Sequence, residues 1–475
     1  MKKITQFVFL LSLLSLGSCK KNEVPADDTD KTTKTYTNKD INSWIYDQMK
    51  DWYYWTDKLP AKTATNLDQI PGDTQENGYF YSILYQKDVT DRFSWLEPDV
   101  KTLTNSLNGI NKVAGIRYVL AYTNSTQSNI ALFLNYVITD SPAYKAGLRR
   151  GDIISQINNT NLTVDNYATL MANETLTLTY GEVNVNKEVV STSKKVTVVK
   201  AEVQTNPIHY STVITKGSKK IGYLVYTQFL SAYDKDLRTT FADFKAKGVN
   251  EFILDLRLNG GGYISSAVTL SSLLVKNLSA DNVMYRDEWN QNIMKQYAAS
   301  SFIKKFTNES SNLGTLTRVY VLTSSGSASA SELVINSLKP YMEVILIGDH
   351  TYGKNVGSIT LDDEDNGYRW NWGLQPITLK TYNADNKSDY GTKEGFLPDV
   401  KVSDNVIPFK PWGDENETLL KKALEQITGV TVASSKNARE TATMQVNLVS
   451  KLPMSDNPLL DRKDMFADPS FLKKK

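Results

Sequence analysis

The chain has 475 residues, 40% hydrophobic and 22% charged, a globular composition long enough for two or three domains with their own cores. Its 54 lysines and arginines face 52 acidic residues, for a net charge of +2, so no basic excess points to nucleic acid and no acidic excess to a solvating tail. One cysteine and two histidines exclude a disulfide within the chain, a zinc site with thiolate ligands and a histidine-rich metal site.

In chain order, "MKKITQFVFLLSLLSLGSC" has two lysines, an apolar run from Phe7 to Leu16 and then small residues. The run is too short to span a bilayer and fits the central region of a signal peptide. "LGSC", residues 16 to 19, resembles the bacterial lipoprotein signal, in which the cysteine receives lipid and becomes the mature N-terminus. That resemblance implies a signal peptide over 1–18 and lipidation at Cys19. It also implies an envelope protein anchored to a bacterial membrane, facing periplasm or cell surface. The competing reading removes Cys19 with the rest of a signal peptide. Residues 19–36 are polar and aperiodic and read as a flexible tether.

Residues 40–55, "DINSWIYDQMKDWYYW", carry apolar residues at helical spacing, with Asp40 or Asn42 as the expected cap. They open a small helical domain expected over 37–105, whose aromatic stripe is expected to pack on its own domain rather than form a ligand cage. Over 106–200 the texture turns to strands, with a short helix near 143–146, a break at Gly147 and a strand at "DIISQIN". "DSPAYKAGLRRGDIISQINN" resembles the second half of a PDZ domain of the kind found in bacterial proteases. Such a domain binds a peptide's terminal carboxylate with backbone N–H groups and adds the peptide as a strand to a sheet edge. "VAGIRY", 113–118, matches that carboxylate loop, which implicates Gly115 and Ile116. Arg117, Arg149 and Arg150 are candidates to help, against a reading as solvated surface charges.

From 201 to 428 strands and helices alternate: "KIGYLVYTQF", "DLRTTFADFKAKG", "EFILDLRLNGGG", "ISSAVTLSSLLV", "RVYVLTSS", "SELVINSLKPY" and "EVILIGD". This is the pattern of an α/β layered core, closed by the amphipathic "ETLLKKALEQITG". Residues 429–475 read as a polar, loosely ordered C-terminal tail.

The serine-rich "GSASASE", 326–332, leads into a helix and offers a nucleophile. A Ser-His-Asp triad needs a histidine held by a third group, and of His209 and His350 only His350 lies in a suggestive loop. The other base is Lys354 in "GDHTYGKNVGS", one helix and one strand after Ser329, in a loop that Gly353 frees to fold back. A lysine buried there, away from carboxylates, is shifted toward its neutral form and can accept a serine proton. Oxyanion donors are Ala330 N–H at the helix start and Gly261 or Gly262 in "DLRLNGGGY". The glycine run also fits a plain strand-to-helix turn, and no GxxxxGK[ST] phosphate loop follows. Asp255, Arg257 and Glu332 read as salt bridges or caps that hold these loops. Composition does not separate Ser327, Ser329 and Ser331.

"DLRLNGGG", "GSASASE" and "TYGKNVG", in this order and spacing, are similar to the motifs of the carboxyl-terminal processing, or tail-specific, serine proteases. "KIGYLVYTQF" and "EGFLPDVKV" (394–402) add to the likeness, which covers roughly residues 40–428. It implies an α/β multidomain protein: a protease core over 201–428, a β-rich PDZ-like domain over 106–200 and the helical domain before it. It implies Ser329 as nucleophile, Lys354 as general base, and Ser327 and Ser331 as structural. Substrates would be proteins or peptides with free C-termini, with no cofactor. One departure stands out. Many members carry a glutamine four residues after the lysine to orient it. Here the position is Ser358, whose reach is shorter. This favours an alternative, a catalytically weak or inactive module on the same fold that recruits peptides or apolar ligands.

Overall fold

The computed structural model describes residues 35–73, 75–430, 444–445, 449 and 454–467. The chain divides into Met1–Tyr36 and Thr37–Lys475, and every described helix and strand belongs to the second unit. Cys19 and the leader around it lie outside the described residues. Among the described residues no helix is long and apolar enough to cross a membrane.

The first helix runs Asn38–Trp52. Its cap is Thr37, one turn ahead of the residues expected to cap it. Thr37 Oγ1 accepts from Asp40 N–H at 3.3 Å and Thr37 N–H donates back to the Asp40 carboxylate at 2.9 Å, a reciprocal capping box. Asp40 is therefore the third helical residue. Asn42 is buried and donates to the carbonyls of Leu67 and Gln69. The aromatic stripe does not pack only on its own segment, as expected: Trp44 lies 5.4 Å from Trp370 and Trp52 6.5 Å from Trp289. Trp44 is buried and Trp52 half-buried, so later chain covers part of the stripe.

The PDZ region is an antiparallel sheet built from Ile116–Tyr122, Ile130–Val137, Ile153–Ile157, Thr175–Val183 and Val189–Val199. Ser141 caps the short helix Pro142–Lys145, whose first position is the proline that has no N–H to lose there. The outer edge of Ile116–Tyr122 is not open: Met454–Ser455 pairs with it.

The α/β core centres on a sheet in the order 208–216, 219–226, 251–255, 318–323, 343–348, 400–401. The first pair is an antiparallel hairpin and the later pairings are parallel. Parallel strands covered on both faces need continuous apolar runs, and these residues alternate between two cores. Leu224, Leu254, Val321 and Leu346 face the helices Asp234–Ala246, Ile264–Leu274 and Ala330–Leu338. Tyr223, Ile253, Leu322 and Ile347 face the helix Thr418–Thr428. That helix buries Leu419, Leu420, Leu424 and Ile427, each contributing about 1.5–3 kcal/mol, and ends at Gly429 in the left-handed conformation.

A second sheet lies beside it, ordered 261–263, 464–466, 356–358, 377–383, 283–289, 303–305. Here the structure departs from the sequence reading of a loose polar tail: Asp464–Phe466 is an inner strand, with Met465 fully buried. Three residues are too few to show an alternating pattern. Main-chain bonds on both sides hold them instead.

Candidate active site

The segments 256–263, 324–329 and 349–354 each follow the carboxyl end of a strand of the parallel sheet. Parallel register brings them to one edge, the usual location of a site in open α/β sheets. Most of the serines there hold this edge together. Ser324 Oγ donates to Arg257 O at 2.6 Å, Ser327 Oγ to Leu256 O at 2.8 Å and Ser331 Oγ to Asn259 O at 3.0 Å. Ser329 differs. It is fully buried, and its Oγ makes no well-formed hydrogen bond among the described residues. It precedes the helix Ala330–Leu338 with φ 64° and ψ −113°, a conformation costly for a side-chain-bearing residue, on the order of 1–3 kcal/mol. Strain of this kind at a strand-to-helix turn is how a hydroxyl is pushed toward a reacting group. Ala330 is the first helical residue, so its N–H has no acceptor within the helix.

Glu332 holds the turn and joins it to the lysine loop. Its carboxylate accepts from Ser329 N–H at 2.8 Å, Gly353 N–H at 2.7 Å, Lys354 N–H at 2.8 Å and Thr351 Oγ1. Burial raises this carboxyl above the ordinary glutamate value, and the four donors offset only part of that rise. Four bonds accepted and none given is the pattern of an ionised carboxylate. The sequence reading of Glu332 as a group that holds loops agrees with this. What linear sequence did not carry is that one carboxylate holds both loops.

Lys354 is 1% exposed. Its Nζ donates to Lys463 O at 2.5 Å, lies 3.5 Å from Asp464 Oδ1 and sits 4.9 Å from the centre of the Phe93 ring. Burial lowers its pKa below the ordinary lysine value of 10.5. Asp464 opposes that shift and Arg462 reinforces it. Phe93, and Arg92 which donates to Gly353 O at 2.6 Å, come from the N-terminal segment and had no signal in the sequence.

Ser358 is buried in the strand Val356–Ser358, and its hydroxyl donates to Met465 O at 3.4 Å. No hydrogen bond joins it to Lys354. Asp464 is the side chain beside the lysine, in the place where the family resemblance led one to look for Ser358. Gly261 and Gly262 have φ of 113° and 134°, open to glycine and strained for other residues. Gly261 N–H is taken by Asn259 Oδ1 at 2.9 Å. A Cβ on Gly261 would collide with Asp464 O and come within 2.8 Å of Ser329 Cβ, so this glycine turn, the serine and the tail strand meet at one point.

Neither histidine joins them. His350 Nδ1 lies 2.8 Å from Thr351 O. His209 is packed edge-on to Tyr136 and Trp412, and burial lowers its pKa to about 4.

In the PDZ region Gly115 turns with φ 92°, and the flanking N–H groups of Ala114 and Ile116 converge on the Asp456 carboxylate. Arg117 lies on this path, donating to Leu258 O at 2.9 Å and Leu460 O at 3.1 Å. Arg149 folds over Tyr144, and buried Arg150 stacks on Trp412 and reaches Glu417, so neither serves the carboxylate loop. Among the described residues no cluster of three or more His, Cys, Asp or Glu could hold a metal ion.

Models of three families match in chain order: the peptidase S41 N-terminal domain over 40–95, a PDZ domain over 133–180 and peptidase family S41 over 220–402. A solved Bacteroides fragilis structure assigned to the S41 proteases is 30% identical. The match covers 82% of this chain and 98% of that one, with a TM-score of 0.69. The chloroplastic C-terminal processing peptidase of Tetradesmus obliquus is 26% identical over 62% of this chain and 61% of its own length. The carboxy-terminal-processing protease of Bartonella bacilliformis is 27% identical over 56% and 57%. The chain thus spans about three-fifths of the length of these two curated relatives. On this evidence the chain belongs to peptidase family S41, with a PDZ domain, and its homologues are carboxyl-terminal processing serine proteases.

Proposed function

We propose that this protein is a serine endopeptidase that captures protein C-terminal tails at its PDZ domain and cleaves peptide bonds with Ser329 and Lys354. Neutral Lys354 takes the proton of Ser329 as Oγ attacks the scissile carbonyl. The oxyanion is met by Ala330 N–H and by Gly262 N–H, because Gly261 N–H is held by Asn259. The intermediate collapses by breaking the C–N bond. The lysine ammonium returns its proton to the leaving amine, and water then hydrolyses the acyl ester on Ser329. Lipid on Cys19 would tether the enzyme to an envelope membrane, facing periplasm or cell surface.

The observation that carries this reading is the pairing of an unpartnered, strained serine with a buried lysine of lowered pKa, on loops tied to one carboxylate. The test is cleavage of unfolded proteins by the parent, Ser329→Ala and Lys354→Ala. Cleavage by the parent and loss in both variants is expected. Loss in Ser329→Ala alone would return the base to His350. A second reading, a binding module without turnover, is favoured by Ser358 at the orienting position and by the engagement of Lys354 Nζ with Lys463 O. It predicts peptide binding with no cleavage by any form.

A further inference from the structure

The last described stretch of the chain, 454–467, passes through both places where a substrate would be held. At the PDZ edge, Met454 and Ser455 pair antiparallel with Tyr118 and Arg117. Asp456 then puts its side-chain carboxylate on Ala114 N–H and Ile116 N–H, the latter at 3.4 Å. Two backbone N–H groups around Gly115 thus receive an internal carboxylate where a peptide's terminal carboxylate would be expected. Next, Arg117 holds Leu460 O and Asp461. The chain then enters the catalytic edge. Asp464–Phe466 pairs in parallel with Gly261–Tyr263, and Phe466 pairs with Ser358 on the other side. Asp464 N–H donates to Gly260 O and Ala467 N–H to Ser358 O, both at 3.0 Å. The cavity beside the glycine turn is walled in part by this segment, through Leu459, Leu460, Arg462, Asp464 and Phe466.

We propose that residues 454–467 are an intramolecular ligand of this enzyme, filling the PDZ carboxylate loop with Asp456 and the catalytic cleft with Asp464–Phe466, so that a substrate enters only by displacing them. The second half rests on Ser329 and Lys354 being the reacting pair. The seated segment is an occupant, not a productive substrate. Lys354 Nζ donates to Lys463 O, and an amine committed as a donor beside the Asp464 carboxylate is poorly placed to accept a serine proton. The rival is that 464–466 is a permanent strand of the sheet, needed for the site to form.

The two are separated in the full-length chain carrying Cys19→Ser, with cleavage of an unfolded protein and binding of a labelled synthetic peptide of residues 454–467 as readouts. Asp456→Ala weakens the hold of the segment and raises the open fraction, which tightens a competing ligand's apparent affinity in proportion. Cleavage at limiting substrate is expected to rise several-fold, and the peptide to bind about tenfold more tightly, the scale of one lost charge-assisted contact. A second variant pairs Arg117→Cys with Ser455→Cys, opposed residues on adjacent antiparallel strands within disulfide reach. Oxidised, it should lose both cleavage and peptide binding, and reductant should restore both. Unchanged or reduced cleavage and binding in Asp456→Ala would overturn the proposal, as would an oxidised double-cysteine form that still cleaves and binds at the reduced rate. Peptide binding needs no turnover, so failure of the Ser-Lys reading would leave its result standing.

Discussion

Two buried cations sit near the carboxyl ends of the same parallel sheet and behave in opposite ways. Arg257 is 2% exposed and Lys354 1%. Burial works against both charges. For Arg257 that cost is overcome by Asp255, Glu417 and Asp404, whose oxygens lie 2.8, 2.6 and 2.8 Å from its nitrogens, and its charge is held more firmly than usual. Desolvation raises the Glu417 carboxyl, but Arg257 and Arg150 overcome it and bring the pKa down to about 2. Lys354 has one carboxylate in ion-pair contact, Asp464 at 3.5 Å, with Asp91 acting from farther off, and burial wins. The number of counterions, not depth, decides which cation is a structural anchor and which can exchange a proton.

The largest expected effects test that contrast directly. Lys354→Met keeps the volume and removes the amine. It should cost about 10⁴-fold or more in kcat, as Ser329→Ala should, because residues acting as a unit fail together. It should cost little stability, since the ion pair it removes, with Asp464 at 3.5 Å, ends on a carboxylate that keeps some contact with water. Arg257→Met should do the reverse. It strands Asp255 and Glu417 inside the protein, with a cost of about 3–5 kcal/mol in urea unfolding. Equal stability losses in the two variants would break the comparison. Glu332→Gln comes next. An amide nitrogen would replace one of two oxygens that accept four bonds, leaving donors facing a donor. About 1–3 kcal/mol of stability should go, with a fall in kcat of about 10²-fold from misplacing both loops. A kcat close to that of the parent would mean that Glu332 positions neither loop.

The parts of this arrangement that could be read in the sequence are those whose signal is local. "FILD", "VYVLT" and "VILIG" are continuous apolar runs and became parallel strands, and Gly429 marked a helix end that is present. The serine cluster stood out because small residues crowd ahead of a helix, but only the family resemblance picked Ser329 from Ser327 and Ser331. The role of Glu332 was half visible: a glutamate three residues after a serine signals a capping box. Its bonds to 351–354 exist only because parallel pairing of 318–323 with 343–348 brings the two following loops together. Aromatic spacing showed a helix within 40–55, observed as Asn38–Trp52, but not that its tryptophans would meet Trp289 and Trp370. The strand Asp464–Phe466 had no signal at all. "DRKDMFA" is charged, short and aperiodic, and its order comes from two edges built more than a hundred residues earlier.

The finest prediction concerns Asp464, the carboxylate in ion-pair contact with Lys354. Deprotonated lysine is the reactive form, so the rate should rise with pH through the Lys354 pKa, which lies below 10.5. Unfolding should show the same group with the matching sign. Between the lowered folded pKa and 10.5 the unfolded chain binds the extra proton, so stability increases with pH across that window. Asp464 raises the Lys354 pKa, and Asp464→Asn should therefore move the rising limb to lower pH. The profile in which it moves carries the information. kcat/KM reports groups in the free enzyme and kcat those in the substrate complex. If substrate displaces the tail, Asp464 stands beside Lys354 only in the free enzyme. The limb of kcat/KM should then shift while that of kcat stays in place. Equal shifts in both profiles would mean that Asp464 remains at the lysine throughout turnover, as a fixed part of the site.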